Sequence, residues 1–298
     1  MAVLIAAVVL GACSSGSVAA PTPRPQAATA PEPAQHVQLD LVDRTRPAVD
    51  PIGVRNAPVR SLPTELYLPN ARGPVPLIVF AHGYDGDPSK FTQLFEHWSD
   101  AGFAVVAPRF PITYTGAATG PLSRTADYAE QPADLAFVLD HVLTSRWKSR
   151  IDAKKIGAAG LSLGGATTWG SIGNSCCRDV RVKAAIVMDG IQFDFNGGTR
   201  VANRMPLLMF HADRDYALPY AGAVAAYTTA APPKYFVTIL GAFHAEPYEN
   251  MPNVADDMVM RTTTAFWRAY LLGDTAALGE IVPDATVAGM SSAVTSTT

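Results

Sequence analysis

Six short apolar runs punctuate the middle of the chain, and none of them alternates with polar residues: 77–81, 103–107, 156–160, 184–188, 207–210 and 235–240. A strand with one wet face alternates; a strand covered on both faces does not. The runs therefore predict buried parallel strands, with an earlier strand at 65–68 toward the sheet edge. Between them the spacing becomes helical. Residues 133–143 place Leu135, Val138, Leu139 and Val142 on one face. The stretches 163–172, 220–230 and 253–272 follow, the last with Val254, Met258, Phe266 and Tyr270 on or near one face. Strands alternating with helices predict an α/β fold, a mostly parallel sheet flanked by helices on both faces. In such a sheet the loops at the carboxyl ends of the strands gather the chemistry.

The two ends break this rhythm. Residues 2–10 are apolar throughout but too few to span a bilayer, which takes ~20. Their length suits the apolar part of an export signal. The run ends at Leu10-Gly11-Ala12-Cys13, followed by Ser14-Ser15-Gly16-Ser17, which resembles the lipobox of bacterial lipoproteins. The resemblance implies lipidation of Cys13 and a protein exported to the bacterial cell membrane, with plain secretion as the alternative. No Lys or Arg precedes the run, and a start upstream of Met1 would supply that missing basic segment. Residues 14–33, rich in Ala, Pro, Ser and Thr, bury too little surface to offset ordering and predict a disordered tether. The same reading gives four segments: a signal peptide over 1–12, a tether over 13–36, one α/β domain over 37–282, and a disordered tail over 283–298.

Composition narrows the function. With 48% hydrophobic and 16% charged residues, the chain can bury a sizeable core, and a net charge of -3 gives no electrostatic reason to bind nucleic acid. Cys176 and Cys177 are adjacent; in an oxidising compartment they could form a disulfide or equally stay reduced.

The candidate chemistry begins at Gly160-Leu161-Ser162-Leu163-Gly164-Gly165, which follows an apolar strand and opens a helix. A serine hydroxyl needs a base, an orienting acid and donors for the developing oxyanion. In a strand–turn–helix the flanking glycines permit a tight turn that lifts the Ser162 hydroxyl out of the sheet, and the helix start supplies free amides near the reacting carbon. With the order serine, acid, histidine, only His211 and His244 follow the serine. His244 lies just past the last strand, where a loop can bring it over Ser162. For the acid, Asp213 and Asp215 sit two residues apart. Asp215 lies four residues before Pro219, a spacing that resembles the acid loop of α/β-hydrolases and implies Asp215 as the acid, and Asp213 is expected to hold the turn or pair with Arg214. The amides of Tyr84, in Ala81-His82-Gly83-Tyr84, and of Leu163 are the candidate oxyanion donors, with His82 shaping the loop. The long irregular segment 109–131 is expected to roof the pocket through Phe110, Tyr114 and Tyr128. No two histidines share a ligand spacing, so neither metal nor cofactor is expected.

These motifs, with Ala107-Pro108-Arg109-Phe110-Pro111 and Gln131-Pro132-Ala133-Asp134-Leu135, resemble the α/β-hydrolase superfamily. Within it they are similar to the chlorophyllase, dienelactone-hydrolase-like, platelet-activating-factor acetylhydrolase-like and bacterial cutinase group. The resemblance implies a serine esterase acting on a small-molecule or lipid-like ester, short- to medium-chain acyl esters first, as a monomer. A polyester, cutin or phospholipid hydrolase is the alternative within the class. Leu161 and Leu163 flank Ser162 where the polyester hydrolases carry Trp and Met, a departure that weighs against polyester. Outside the class, the alternatives are a degenerate, envelope-tethered binding protein and a peptidase.

Overall fold

A computed structural model describes residues 33–117 and 122–297. Cys13, the apolar run and most of the predicted tether lie outside the described residues. Nine strands form one sheet among the described residues: β1 (Gln35–Asp43), β2 (Arg60–Leu68), β3 (Val75–Ala81), β4 (Ala104–Pro108), β5 (Ile151–Leu161), β6 (Val182–Met188), β7 (Leu207–Ala212), β8 (Lys234–Ile239) and β9 (Ser291–Ser296). Their order is β1-β2-β4-β3-β5-β6-β7-β8-β9. The six from β4 to β8 pair in parallel and are the six non-alternating runs; β1, β2 and β9 pair antiparallel at the two sides.

Both faces of the sheet are covered, which is why the inner strands carry no polar alternation. On one face α1 (Thr92–Asp100) and α5 (Asp256–Trp267) bury Phe95, Trp98, Phe266 and Trp267. The Trp98 indole donates to Thr263 Oγ1 at 2.9 Å, so the two helices are bonded as well as packed. On the other face lie α2 (Gln131–Thr144), α3 (Leu163–Gly173) and α4 (Tyr220–Thr229), with the predicted Leu135, Val138, Leu139 and Val142 all buried. A fully buried Arg60 ties β2 to this layer. Its guanidinium donates to Asp127 at 2.9 and 3.0 Å and to Asp134 at 2.7 and 2.6 Å. That clamp fixes the helical turn Leu122–Ala129 on α2.

The tail departs from expectation. Residues 283–298, read as disordered, instead finish a helical turn (Ile281–Asp284) and form β9, paired with β8 from Lys234↔Ser296 to Ile239↔Ser291. Composition counts side-chain burial, whereas this strand is held by backbone hydrogen bonds along an open sheet edge. The first strand also begins at Gln35, two residues before the predicted boundary.

Candidate active site

The turn from β5 into α3 holds Ser162 at φ 59° and ψ -118°, a conformation an L residue adopts only at a cost of ~1–3 kcal/mol. Two bonds hold it there: Ser162 N–H to the Met188 carbonyl at 2.8 Å, and Ala166 N–H to the Ser162 carbonyl at 3.0 Å. The glycines make the turn possible by close approach. A Cβ on Gly160 would lie 2.2 Å from the Gly164 carbonyl oxygen, and one on Gly164 would lie 2.0 Å from that of Ala81. The motif is therefore a packing requirement of the turn as much as a chemical one.

His244, in the loop after β8, reaches the serine. Its Nδ1–H donates to Asp215 Oδ2 at 2.7 Å, which leaves Nε2 as the acceptor of the Ser162 hydroxyl, also at 2.7 Å. Asp215 sits in the loop after β7, where Oδ1 accepts the amides of Ala217 and Leu218 at 2.8 Å each. His211 Nε2 approaches Asp215 Oδ2 at 3.2 Å and the Leu218 carbonyl at 3.0 Å. Burial opposes ionisation of Asp215, but hydrogen bonds from His211, then His244, then the Leu218 amide outweigh it and hold the carboxyl well below the ordinary range.

The other acids take different posts. Asp213 accepts the Gly241 amide at 2.7 Å, so it stitches the β7 loop to the β8 loop; of the two roles expected, holding the turn or pairing with Arg214, the ion pair does not form among the described residues. Asp189, buried at the end of β6, lies 4.0 Å from His244 Nδ1 and accepts from the Ala212 amide at 2.7 Å and the Tyr248 hydroxyl at 3.1 Å. Burial pushes its carboxyl up. Asp189, Asp215 and His244 gather ligand atoms within 4.8 Å of one another, yet Nδ1 carries the proton given to Asp215 and has no lone pair to offer a cation. Two features of this cluster escape sequence reading: His211 as a second partner of Asp215, and Asp189 beneath both.

Leu163 opens α3, where first-turn amides lack intrahelical partners, and it lines the same cavity as Tyr84, Ser162 and His244. A Cβ on Gly83 would lie 3.1 Å from Ser162 Cβ, so the loop carrying Tyr84 runs alongside the serine. His82 shapes that loop from within. Its Nδ1–H donates to the Gly83 carbonyl at 2.7 Å, and its Nε2 accepts the Phe110 amide at 3.0 Å. Burial pushes its pKa down to about 4 from 6.5. Between those values the unfolded chain binds more protons than the folded one, so stability falls as pH drops through that window. The loss amounts to about 3 kcal/mol. Thermal melts of wild type and His82→Gln between pH 7 and 4 check this: the wild-type Tm should fall more steeply, and parallel curves would refute it.

All four non-glycine residues of positive φ among the described residues flank this site: Asp85 beside Tyr84, Ser162, Asp189, and Ala245 beside His244. Backbone strain of this kind collects at functional sites.

The cavity over Ser162 has a volume of about 330 Å³ and is largely apolar, walled by Leu122, Leu163, Phe193, Ala217 and Leu218. The aromatic residues expected there are elsewhere. Phe110 is fully buried against His82, with ring centroids 4.8 Å apart. Tyr114 faces a separate cleft with Arg109 and Pro111. Tyr128 stands behind the wall, edge-on to Phe193 and Phe195, and its hydroxyl donates to the Asp194 carbonyl. The segment 109–131 does contribute to the site, through Leu122 and Thr125. Phe193 belongs to the loop after β6, and its signal in the sequence is an aromatic residue just past the carboxyl end of a strand. Away from the site, Cys176 and Cys177 form a disulfide.

A parallel sheet flanked by helices, with its polar cluster at the strands' carboxyl ends, makes this an α/β-hydrolase. The ferulic acid esterase from Streptomyces cinnamoneus shares the fold: it superposes with a TM-score of 0.63 at 21% identity, over 81% of this chain and 91% of that one. The sequence matches the chlorophyllase family over residues 41–211, more than half of the 298-residue chain, and the protein belongs to that family. No curated protein matches the sequence.

Proposed function

We propose that the protein hydrolyses carboxylic esters through an acyl-enzyme on Ser162, at the cell envelope. The observation that carries this reading is the unbroken hydrogen-bond chain from Asp215 through His244 to the Ser162 hydroxyl, 2.7 Å at each step. His244 Nε2 takes the serine proton as Oγ attacks the ester carbonyl, and Asp215 holds the tautomer and the imidazolium that forms. The amides of Tyr84 and Leu163 receive the oxyanion. Collapse expels the alcohol with a proton from His244; water then repeats the sequence and frees the acid. A cavity of about 330 Å³ with apolar walls suits a short- to medium-chain acyl group.

A fluorophosphonate probe tests the nucleophile, because it needs the same activated hydroxyl. The expected result is stoichiometric labelling mapped to Ser162; an intact chain that stays unlabelled would favour a binding protein on a hydrolase fold. The envelope assignment rests on the Leu10-Gly11-Ala12-Cys13 motif. Metabolic labelling with a palmitate analogue should mark the expressed protein and vanish in Cys13→Ser. Label retained in the variant would refute the anchor.

A further inference from the structure

Beside the cavity over Ser162 lies a second cleft of about 390 Å³, and the two share His244 as a wall. The first holds the serine with Tyr84 and Leu163, so the acyl carbon and its oxyanion belong there. The second holds none of those three. Around His244 it presents Tyr216, Phe243, Glu246, Glu249 and Met251. Acyl transfer forms the Ser162 Oγ–carbon bond and breaks the carbon–oxygen bond to the alcohol. The departing oxygen takes the proton that His244 received from the serine. The alcohol therefore has to stand on the His244 side.

We infer that this second cleft is the leaving-group subsite and that it favours alcohols bearing a positive charge, an inference that rests on the roles of Ser162 and His244 proposed above. Two aromatic rings stand open to solvent at its mouth, Tyr216 at 81% and Phe243 at 43% exposure. Their centroids are 6.4 Å apart and their planes inclined by 54°, an open V rather than a closed stack. Met251, also exposed, extends the apolar wall. Two carboxylates line the same cleft, and no Lys or Arg does among the described residues. Lys90, outside the lining, approaches Glu249 at 3.8 Å. Glu246 makes no ion pair among the described residues. Open ring faces attract a cation through their quadrupole, and a carboxylate lining the same cleft adds to it. A purely apolar cleft would be indifferent to charge; this one has rings for an alkylammonium's methyl groups and carboxylates for its charge.

Acetylcholine and its uncharged carbon isostere 3,3-dimethylbutyl acetate share a shape and differ in charge. Acid release gives kcat/KM for each, with each ester's alkaline hydrolysis rate used to correct for intrinsic reactivity. We expect the corrected ratio to favour the cationic ester by roughly tenfold. In Glu246→Gln combined with Phe243→Ala the ratio should fall toward parity, whatever happens to the absolute rates. A ratio near one in the wild type, or one that the double variant leaves unchanged, overturns the subsite. Failure of the chain to turn over either ester, with Ser162 also unlabelled by fluorophosphonate, sinks the ester-hydrolase reading and takes the subsite with it. Labelled Ser162 and brisk turnover of the neutral ester alone overturn the subsite and leave the ester-hydrolase reading standing.

Discussion

Ser162→Ala should lower kcat on p-nitrophenyl butyrate by ~10⁴–10⁶-fold, His244→Ala should do the same, and the double variant should lose no more than the worse single one. In the proposed mechanism nucleophile and base act as one device. Once Oγ is gone, His244 has no proton to take; once His244 is gone, the hydroxyl at the turn is an ordinary alcohol. The loss corresponds to about 5–8 kcal/mol of transition-state stabilisation. Residual turnover would come from the amides and the cavity, which both variants keep. Neither substitution should unfold the chain, since the turn at Ser162 is held by backbone bonds to Met188 and Ala166. Initial rates with a matched melting curve are the measurement. Single-variant losses that multiplied in the double variant would mean that Ser162 and His244 work separately.

Asp215→Asn should cost ~10³–10⁴-fold in kcat, whereas Asp189→Asn should cost less than Asp215→Asn by at least about tenfold. An asparagine can turn an N–H toward His244 Nδ1, which would then accept and place the imidazole proton on Nε2, facing the serine. That tautomer cannot act as base. Asp189 stands 4.0 Å from the same nitrogen and already accepts from Ala212 and Tyr248, so it reaches the imidazole only through space. The ordering of the two losses decides which carboxylate orients the base. If Asp189→Asn proved the more damaging, the orienting acid would be the one after β6 rather than the one after β7.

The parts of the molecule legible in the sequence are those where one physical requirement dominates. Burial on both faces forces an unbroken apolar run, and so the inner strands declared themselves. The glycine-rich turn declared Ser162, and position past the last apolar run declared His244. β1 was harder, because it alternates as a half-buried strand does: Val37 and Leu39 lie between polar neighbours. β9 was invisible, since Ser, Thr and Ala side chains around a single exposed Val294 say nothing of a backbone ladder. The pocket failed for a further reason. Residues 109–131 form a stretch from which any aromatic might face inward, and the choice is made by partners far away in sequence. Arg60 sets the turn that offers Leu122, while Phe193 arrives from beyond β6. Asp213 and Asp215 were separable in the sequence only by the spacing to Pro219; in the fold the loop's own amides point at Asp215.

The late strand β9 bears on when this protein can begin to work. β8 leads directly into the loop that carries His244, and its outer edge is closed only by the final residues, down to the Leu240 amide bonded to the Met290 carbonyl. A chain emerging from a ribosome or a translocation channel presents its serine, then its acid, and last the histidine. That histidine hangs from an unpaired edge until the tail arrives. β9 therefore has to be made before the loop of His244 is backed by a paired edge, so on the proposed mechanism a chain shortened ahead of residue 290 would carry the nucleophile without the means to fire it.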